Sequence, residues 1–283
     1  MSGTSRGRGW KADVAWWAET PALAALDFGL ATTIADFEGA FRLLHDRYVW
    51  RRYMAPQPSG RRLGLHHVLP STKVVVAKAG DRVVGTITVV EDSCLGLPMD
   101  EAFGGELGRL RERGRRLAEG ASLAVGRVDD VPGVAIVVRL LRMAVLYAAR
   151  IARRDELCFV VRPRHREFYL NLFPFRRFRE LRFYPRIGGA DVIGLRLDLR
   201  VVRALIRIER AGLSAGPLSK FLCGRETSAA LTARLRRDVP RSALTPPEWA
   251  RLFADAGEPA PDPSTLEVAA VLSAVHSERG GCP

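Results

Sequence analysis

Two runs of β-branched residues, TKVVVAK and RVVGTITVVED, flank Gly80-Asp81, and no other stretch restricts the fold as strongly. A tight hairpin turn wants positive φ at its centre, which glycine supplies, so residues 72–92 are predicted as a β-hairpin. The rest of the chain is arranged around it. FGLATTIAD (28–36) reads as a strand, and residues 37–54 carry apolar side chains at 37, 41, 44, 48 and 49, a helical spacing. A helix is expected near 105–116, a strand at LAEGASLAV (117–125) and a long helix over 133–154. That helix has a buried stripe of Val137, Leu140, Leu141, Ala144, Ala148 and Ile151. LCFVVRP (157–163) is a buried strand, RHREFYLNL (164–172) a short helix, and 175–185 and 190–199 two strands joined at Gly188-Gly189. After Leu199 the pattern turns helical, with Thr245 and Glu248 placed as a capping box before TPPEWARLF. The division expected is an N-terminal arm (1–26), a mixed α/β domain (27–199) and a helical C-terminal extension (200–283).

Composition narrows the class. With 47% hydrophobic and 27% charged residues over 283 positions, the chain can bury a sizeable core without staples. Asp13, Glu19 and Asp27 interrupt any early apolar run, so no signal peptide is expected. Arg139, Arg142 and Arg150 argue against a membrane span in the greasiest stretch. The compartment expected is the cytoplasm. Cys94, Cys158, Cys223 and Cys282 lie far apart with no CxxC pair, so neither a zinc module nor a disulfide scaffold is expected. His66-His67 has no third ligand at suitable spacing, and no metal is expected. The net charge of +13 attracts nucleic acid, anionic lipid or an acidic protein. Forty of the 44 basic residues are arginine, a ratio that also follows from GC-rich coding, so no nucleic-acid partner is expected. Peripheral contact with membrane lipids stays open.

The order of elements, together with EDSCLGLPMDEAF (91–103), LAEGASLAV (117–125) and RPRHREFYLNLFPFRRF (162–178), resembles the FeeM-type N-acyl amino acid synthases. These are a branch of the GNAT acyltransferases related in fold to the acyl-homoserine lactone synthases. The resemblance covers roughly residues 27–199, and the DS–GLPMD string is its most specific part. It implies a GNAT-like mixed central sheet flanked by helices. It also implies transfer of a long acyl chain from acyl carrier protein to the amino group of an amino acid, with no cofactor beyond the donor's phosphopantetheine. GNAT enzymes that use CoA follow the fourth strand with a glycine-rich turn whose N–H groups cradle a pyrophosphate. Here the turn is Arg127-Val128-Asp129-Asp130-Val131-Pro132-Gly133. Pro132 removes a donor and two carboxylates repel polyphosphate, which suits the single phosphodiester of a carrier-protein arm.

The resemblance places Glu119 on the fourth strand as the base that takes the amine proton; the alternative is a strand-edge glutamate paired with an arginine. Tyr169 matches the GNAT tyrosine that protonates the leaving thiolate; the alternative is a packed aromatic like Phe168. Many GNATs carry Asn seven residues earlier, where this chain has Arg162. Main-chain groups of Leu123, Ala124 and Val125 would pair with the pantetheine amides, and Arg127 and the Gly133 N–H would meet the phosphate. Arg47, Tyr48 and Trp50 lie near the family's variable entrance and are assigned to the acceptor. Asp92 and Ser93 either bind the acceptor's ammonium or organise the long connection. Arg139, Arg142, Arg150 and Arg153 share one helix face, either solvated or a dock for the acidic carrier protein extended by the arginines of 109–116. The rival functions are a CoA-dependent N-acetyltransferase, a non-catalytic binding protein on the same fold, and a lactone synthase.

Overall fold

A computed structural model of the chain describes residues 21–211 and 227–254. Strands β1 (Asp27–Leu30), β2 (Lys73–Ala79), β3 (Arg82–Glu91), β4 (Leu117–Val125), β5 (Glu156–Val161), β6 (Arg176–Tyr184) and β7 (Ala190–Asp198) form one sheet. Their order is β1-β2-β3-β4-β5-β7-β6. Every neighbouring pair is antiparallel except β4 with β5, which is parallel. The hairpin closes at Ala79↔Arg82, and Gly80 takes φ 60°, the left-handed value that a side chain would resist.

Local chemistry moves several expected boundaries. The strand expected to reach residue 36 stops at Leu30, because Thr33 caps helix α1 (Ile34–Trp50). Its hydroxyl accepts the Asp36 N–H at 3.2 Å, and the Asp36 carboxylate accepts the Thr33 N–H at 3.2 Å. Helix α2 (Asp100–Glu112) starts five residues before the position expected. The long helix α3 (Gly133–Leu146) is shorter than expected and gives way to a widened turn over Tyr147–Ile151. There the Ala152 N–H reaches back five residues to the Tyr147 carbonyl at 3.0 Å. The widened turn aims the Tyr147 hydroxyl at the buried Glu91 carboxylate, 2.8 Å away, which Arg154 also holds. Helix α4 (Arg166–Leu172) precedes the β6–β7 pair.

Helices cover both faces. On one, α3 packs with α5 (Leu199–Arg210) and α6 (Ser228–Asp238). On the other, Phe37 and Phe41 of α1 meet Trp249 and Phe253 of α7 (Pro246–Ala254). A third cluster places Phe103, Leu107 and Leu110 of α2 against Phe178 and Val192. The described part of the C-terminal extension is therefore built into the core. Its expected capping box forms in part: the Glu248 carboxylate accepts the Thr245 N–H at 2.7 Å and also the Thr245 hydroxyl at 2.8 Å. Residues 1–20, 212–226 and 255–283, which include Trp10, Trp16 and Trp17, lie outside the described residues.

This packing narrows the basic face that the sequence offers. Arg142 is 3% exposed, Arg139 and Arg150 are half-buried, and α6 lies against α3 and residues 147–151. Of the 109–116 arginines, Arg111 holds Asp92 and Asp100, Arg115 holds Glu156 and Asp198, and Arg116 holds Asp155. These guanidiniums are committed to the fold, whereas Arg109, Arg113 and Arg153 are exposed.

The Trp249 ring is 4% exposed, with centroids 5.8 Å from Phe37 and 6.1 Å from Phe41. Truncating a buried aromatic of this kind costs about 3–5 kcal/mol. Trp249→Ala should lower unfolding free energy by that order in urea titration. A loss under about 1 kcal/mol, typical of exposed positions, would show that α7 is not part of the core.

Candidate active site

The parallel pairing of β4 with β5 runs only from Leu117↔Glu156 to Gly120↔Phe159. Beyond it the two strands separate, and a cavity of about 1100 Å³ opens between them. Ala121 to Val125 of β4 and the following Gly126 line one wall, and Phe159 to Arg162 line the other. Gly120 marks the parting point, where a Cβ would sit 2.2 Å from the Phe159 ring. Only glycine lets that ring lie across β4. On its other edge β4 carries a bulge, since Thr86 faces Ala124 while Thr88 faces Ala121, leaving Ser122 and Leu123 opposite the single residue Ile87. Ser122 is driven to φ 53°. The bulge twists the strand where it borders the cavity, and the β5-facing main chain of Ala121–Val125 is left to the cleft.

Glu119 lies at the floor of this cleft. It is 2% exposed, and its Oε2 accepts the Met99 N–H at 2.8 Å. Among the described residues it has no ion pair, so it is not the strand-edge partner of an arginine. Burial pushes its pKa up to about 8, against the opposing effects of the Met99 N–H and the Arg186 charge. The carboxyl therefore changes protonation near neutral pH.

The DSCLGLPMD string explains how that floor is held. The Arg111 guanidinium donates to both Asp92 oxygens at 2.7 and 2.9 Å and to Asp100 at 2.7 and 2.6 Å. Ser93 Oγ accepts the Leu95 N–H at 3.2 Å, and Asp100 accepts the Leu97 N–H at 2.7 Å. The Pro98 carbonyl accepts the Tyr184 hydroxyl at 3.1 Å. The connection thus presents the Met99 N–H to Glu119. Of the two readings for Asp92 and Ser93, the structure places both in the connection and neither in the cavity lining.

Tyr169 sits on α4, 7% exposed, with ring centroids 5.3–5.9 Å from Phe168, Phe159 and Phe175. It lines the cleft, and no hydrogen bond reaches its hydroxyl among the described residues. Its apolar surroundings hold the phenol well above its ordinary pKa. Leu123, Ala124, Val125, Arg127 and Gly133 line the same cavity, with α3 beginning at Gly133. Asp129 and Asp130 of the turn are exposed, and Asp130 takes φ 59°. Arg47 and Tyr48 also line the cavity, whereas Trp50 is 62% exposed and outside it.

The cleft includes side chains that the sequence did not single out for the acceptor, among them Tyr53, Arg62, Tyr184 and Arg186. Arg62 stacks on Tyr48 at 4.6 Å, and Tyr53 meets the same ring edge-on at 5.5 Å. Aromatic content near Tyr48 was the available signal, but only the turn after β6 brings Arg186 across. Arg162, in the place of the common Asn, points its guanidinium to within 6.0 Å of the Tyr53 centroid. His67 is half-buried and its pKa is pushed down to about 4, while its Nδ1 accepts the Gly64 N–H at 3.1 Å. It acts as a neutral packing group. Among the described residues no cluster of His, Cys, Asp and Glu could hold a metal ion, and no helix is long and apolar enough to cross a membrane. Cys158 is buried with its thiol pKa raised; Cys94 is exposed.

Comparison with known proteins places this geometry. Residues 39–198 match the family described as N-acyl amino acid synthase FeeM. The solved structure of FeeM, an N-acyl amino acid synthase from uncultured soil microbes, is 25% identical, with a TM-score of 0.55 over 63% of this chain and 93% of that one. A CoA-dependent acyl-homoserine lactone synthase, BjaI, solved with SAM and isopentyl-CoA, is 18% identical over 63% of this chain and 83% of its own, at a TM-score of 0.42. An acyl-CoA N-acyltransferase from Pseudomonas aeruginosa is 13% identical over 60% and 98%, at 0.41. No curated protein sequence matches the chain. The family match spans more than half of the chain and contains the parted strands, Glu119 and the connection that holds it: the protein belongs to the FeeM N-acyl amino acid synthase family and is an N-acyltransferase on a GNAT-like fold.

Proposed function

We propose that the protein transfers a long acyl chain from the phosphopantetheine thioester of acyl carrier protein to the amino group of an amino acid. The reading rests chiefly on one arrangement: a buried carboxyl, titrating near neutral pH, beside an unpaired strand edge in a cavity of about 1100 Å³. That volume is at the upper end for small-ligand sites and suits an arm with a long chain. The pantetheine amides pair with β4 over Leu123–Val125, and the main chain there polarises the thioester carbonyl. Arg127 and the N–H at the start of α3 take the single phosphate. The exposed carboxylates of Asp129 and Asp130, with Pro132 lacking an N–H, disfavour the pyrophosphate of CoA.

The amine nitrogen attacks the carbonyl carbon, the C–S bond breaks, and the amide forms. Glu119 takes the proton released from nitrogen. The raised pKa of Tyr169 makes it a hydrogen-bond donor to the departing sulfur rather than a full acid. The proton held on Glu119, near pKa 8, is better matched to a thiolate of ordinary pKa about 8.5. Arg47 and Arg62, on the acceptor side of the cleft, receive the amino acid's carboxylate.

With purified protein, acyl-carrier-protein thioester and the matching acyl-CoA should be supplied in separate reactions. Turnover with the carrier protein and little with CoA is expected; the reverse preference overturns the donor assignment.

Glu119→Gln should reduce turnover by about 10²–10⁴-fold. In the parent, kcat/KM should rise as pH passes about 8, and raising the pH should recover part of the variant's loss, because more of the acceptor is then free amine. A variant within about threefold of the parent, where chemistry limits the rate, removes Glu119 from the base role.

Stability supplies an independent readout. Because the folded pKa of Glu119 lies above the ordinary carboxylate value, the native state retains a proton that the unfolded chain has lost between pH about 4.5 and 8. Its contribution to stability therefore falls across that window, by up to about 1.4 kcal/mol per pH unit. Glu119→Gln should flatten that slope and be the more stable protein at pH 8 in urea titrations. Parallel slopes for parent and variant would contradict the buried, proton-retaining carboxyl.

A further inference from the structure

Four of the seven exposed large apolar side chains among the described residues are carried by segments that border one end of the cleft. Trp50 is 62% exposed and flanked by the guanidiniums of Arg47 and Arg51 at 4.4 and 4.6 Å. Leu65, 51% exposed, falls between the cleft-lining Gly64 and His66. Leu95, 46% exposed, belongs to the connection whose backbone interacts with His66. Phe183, 67% exposed, lies over Gly189 in the turn after β6. None of the four lines the cavity.

The segments that carry them form a continuous rim. Arg62 donates to the Arg186 carbonyl at 2.8 Å, and Gly188 packs on the main chain of Arg52 and Tyr53. The Tyr184 hydroxyl reaches the Pro98 carbonyl at 3.1 Å. This rim surrounds the Glu119 end of β4, whereas Arg127 and Gly133 lie past the strand's other end. Arg51, Arg52, Arg164 and Arg186 are exposed on or beside it, and of these only Arg186 pairs with a carboxylate, Glu101 at 2.8 Å, among the described residues.

Single exposed apolar residues are ordinary on a soluble protein, but a group set among like charges is a contact surface. We propose that this rim docks on an anionic lipid bilayer, with Trp50, Leu65, Leu95 and Phe183 in the interfacial layer and the arginines on lipid phosphates. Tryptophan and arginine suit that boundary, each having an apolar body and a polar end. A carrier protein has to sit where its phosphate enters, near Arg127, which leaves this end free. The role of docking rests on the proposed function: a long-chain acyl amino acid leaves the cleft directly into lipid.

The test is co-sedimentation of the full chain with vesicles of phosphatidylglycerol and phosphatidylcholine in equal parts, against vesicles of phosphatidylcholine alone. Binding to the mixed vesicles, weakened by salt, is expected. Trp50→Ser with Leu65→Ser should lower the partition coefficient about tenfold or more while thermal unfolding is unchanged. Arg51→Glu with Arg52→Glu, which keeps the apolar side chains, should weaken binding to mixed vesicles as well. No binding by the parent, equal binding to both vesicle types, or full binding by both variants overturns the proposal. Substitutions that weaken binding of the carrier protein but not of vesicles overturn it too. Sedimentation uses no acyl substrate, so failure of the transferase reading does not decide it.

Discussion

The four-residue pairing of β4 with β5 governs this molecule. From Leu117 to Gly120 the strands are held in parallel register, and from Ala121 they diverge. A sheet that remained paired would have no cavity and no open strand edge. Divergence requires three local departures from ordinary strand chemistry: the missing side chain at Gly120, the Phe159 ring lying across it, and the bulge that puts Ser122 at φ 53°. The surrounding core makes these tolerable. Each strand is backed by helices, and α7 adds Trp249 and Phe253 from beyond the family match to the face that carries α1.

The same parting makes a buried carboxyl useful. Glu119 occupies the last paired stretch of β4, where solvent is excluded, yet its side chain borders the opening. Burial alone would raise its pKa without holding it in place. The Met99 N–H orients one oxygen, and the Asp92–Arg111–Asp100 cluster holds the connection that presents Met99. In the proposed base role, the stability given up to keep an ionisable group in an apolar floor serves a group that changes protonation near neutral pH.

Much of the fold was legible because its signals are local. The Gly80-Asp81 turn, the β-branched runs of β2 and β3 and the Thr245–Glu248 cap each act over a few residues. The misplaced boundaries came from chemistry that propensity does not weigh. Thr33 and Asp36 end a β-favouring run by capping a helix, and Tyr147 is drawn to Glu91, 56 residues away, by a widened turn. The family motifs mark Glu119, Tyr169 and Leu123–Val125, and all of them line the cleft. Asp92 and Ser93 carry the most specific string, yet they hold the connection rather than line the cleft. Charge was the least readable feature. Arg142 falls on the same helical face as Arg139 but is buried, and α6, nearly a hundred residues later, packs against α3. Nothing near residue 142 in the sequence announces that packing.

The account's central claim is that this cleft joins a long acyl chain to the nitrogen of an amino acid. Mass spectrometry of lipid extracts from cells expressing the protein, set against cells lacking it, tests that claim most directly. The account predicts a new species whose fragmentation releases an intact amino acid from a long acyl chain through an amide bond. A lipid profile that matches the control, or a new product carrying only an acetyl group, would contradict it.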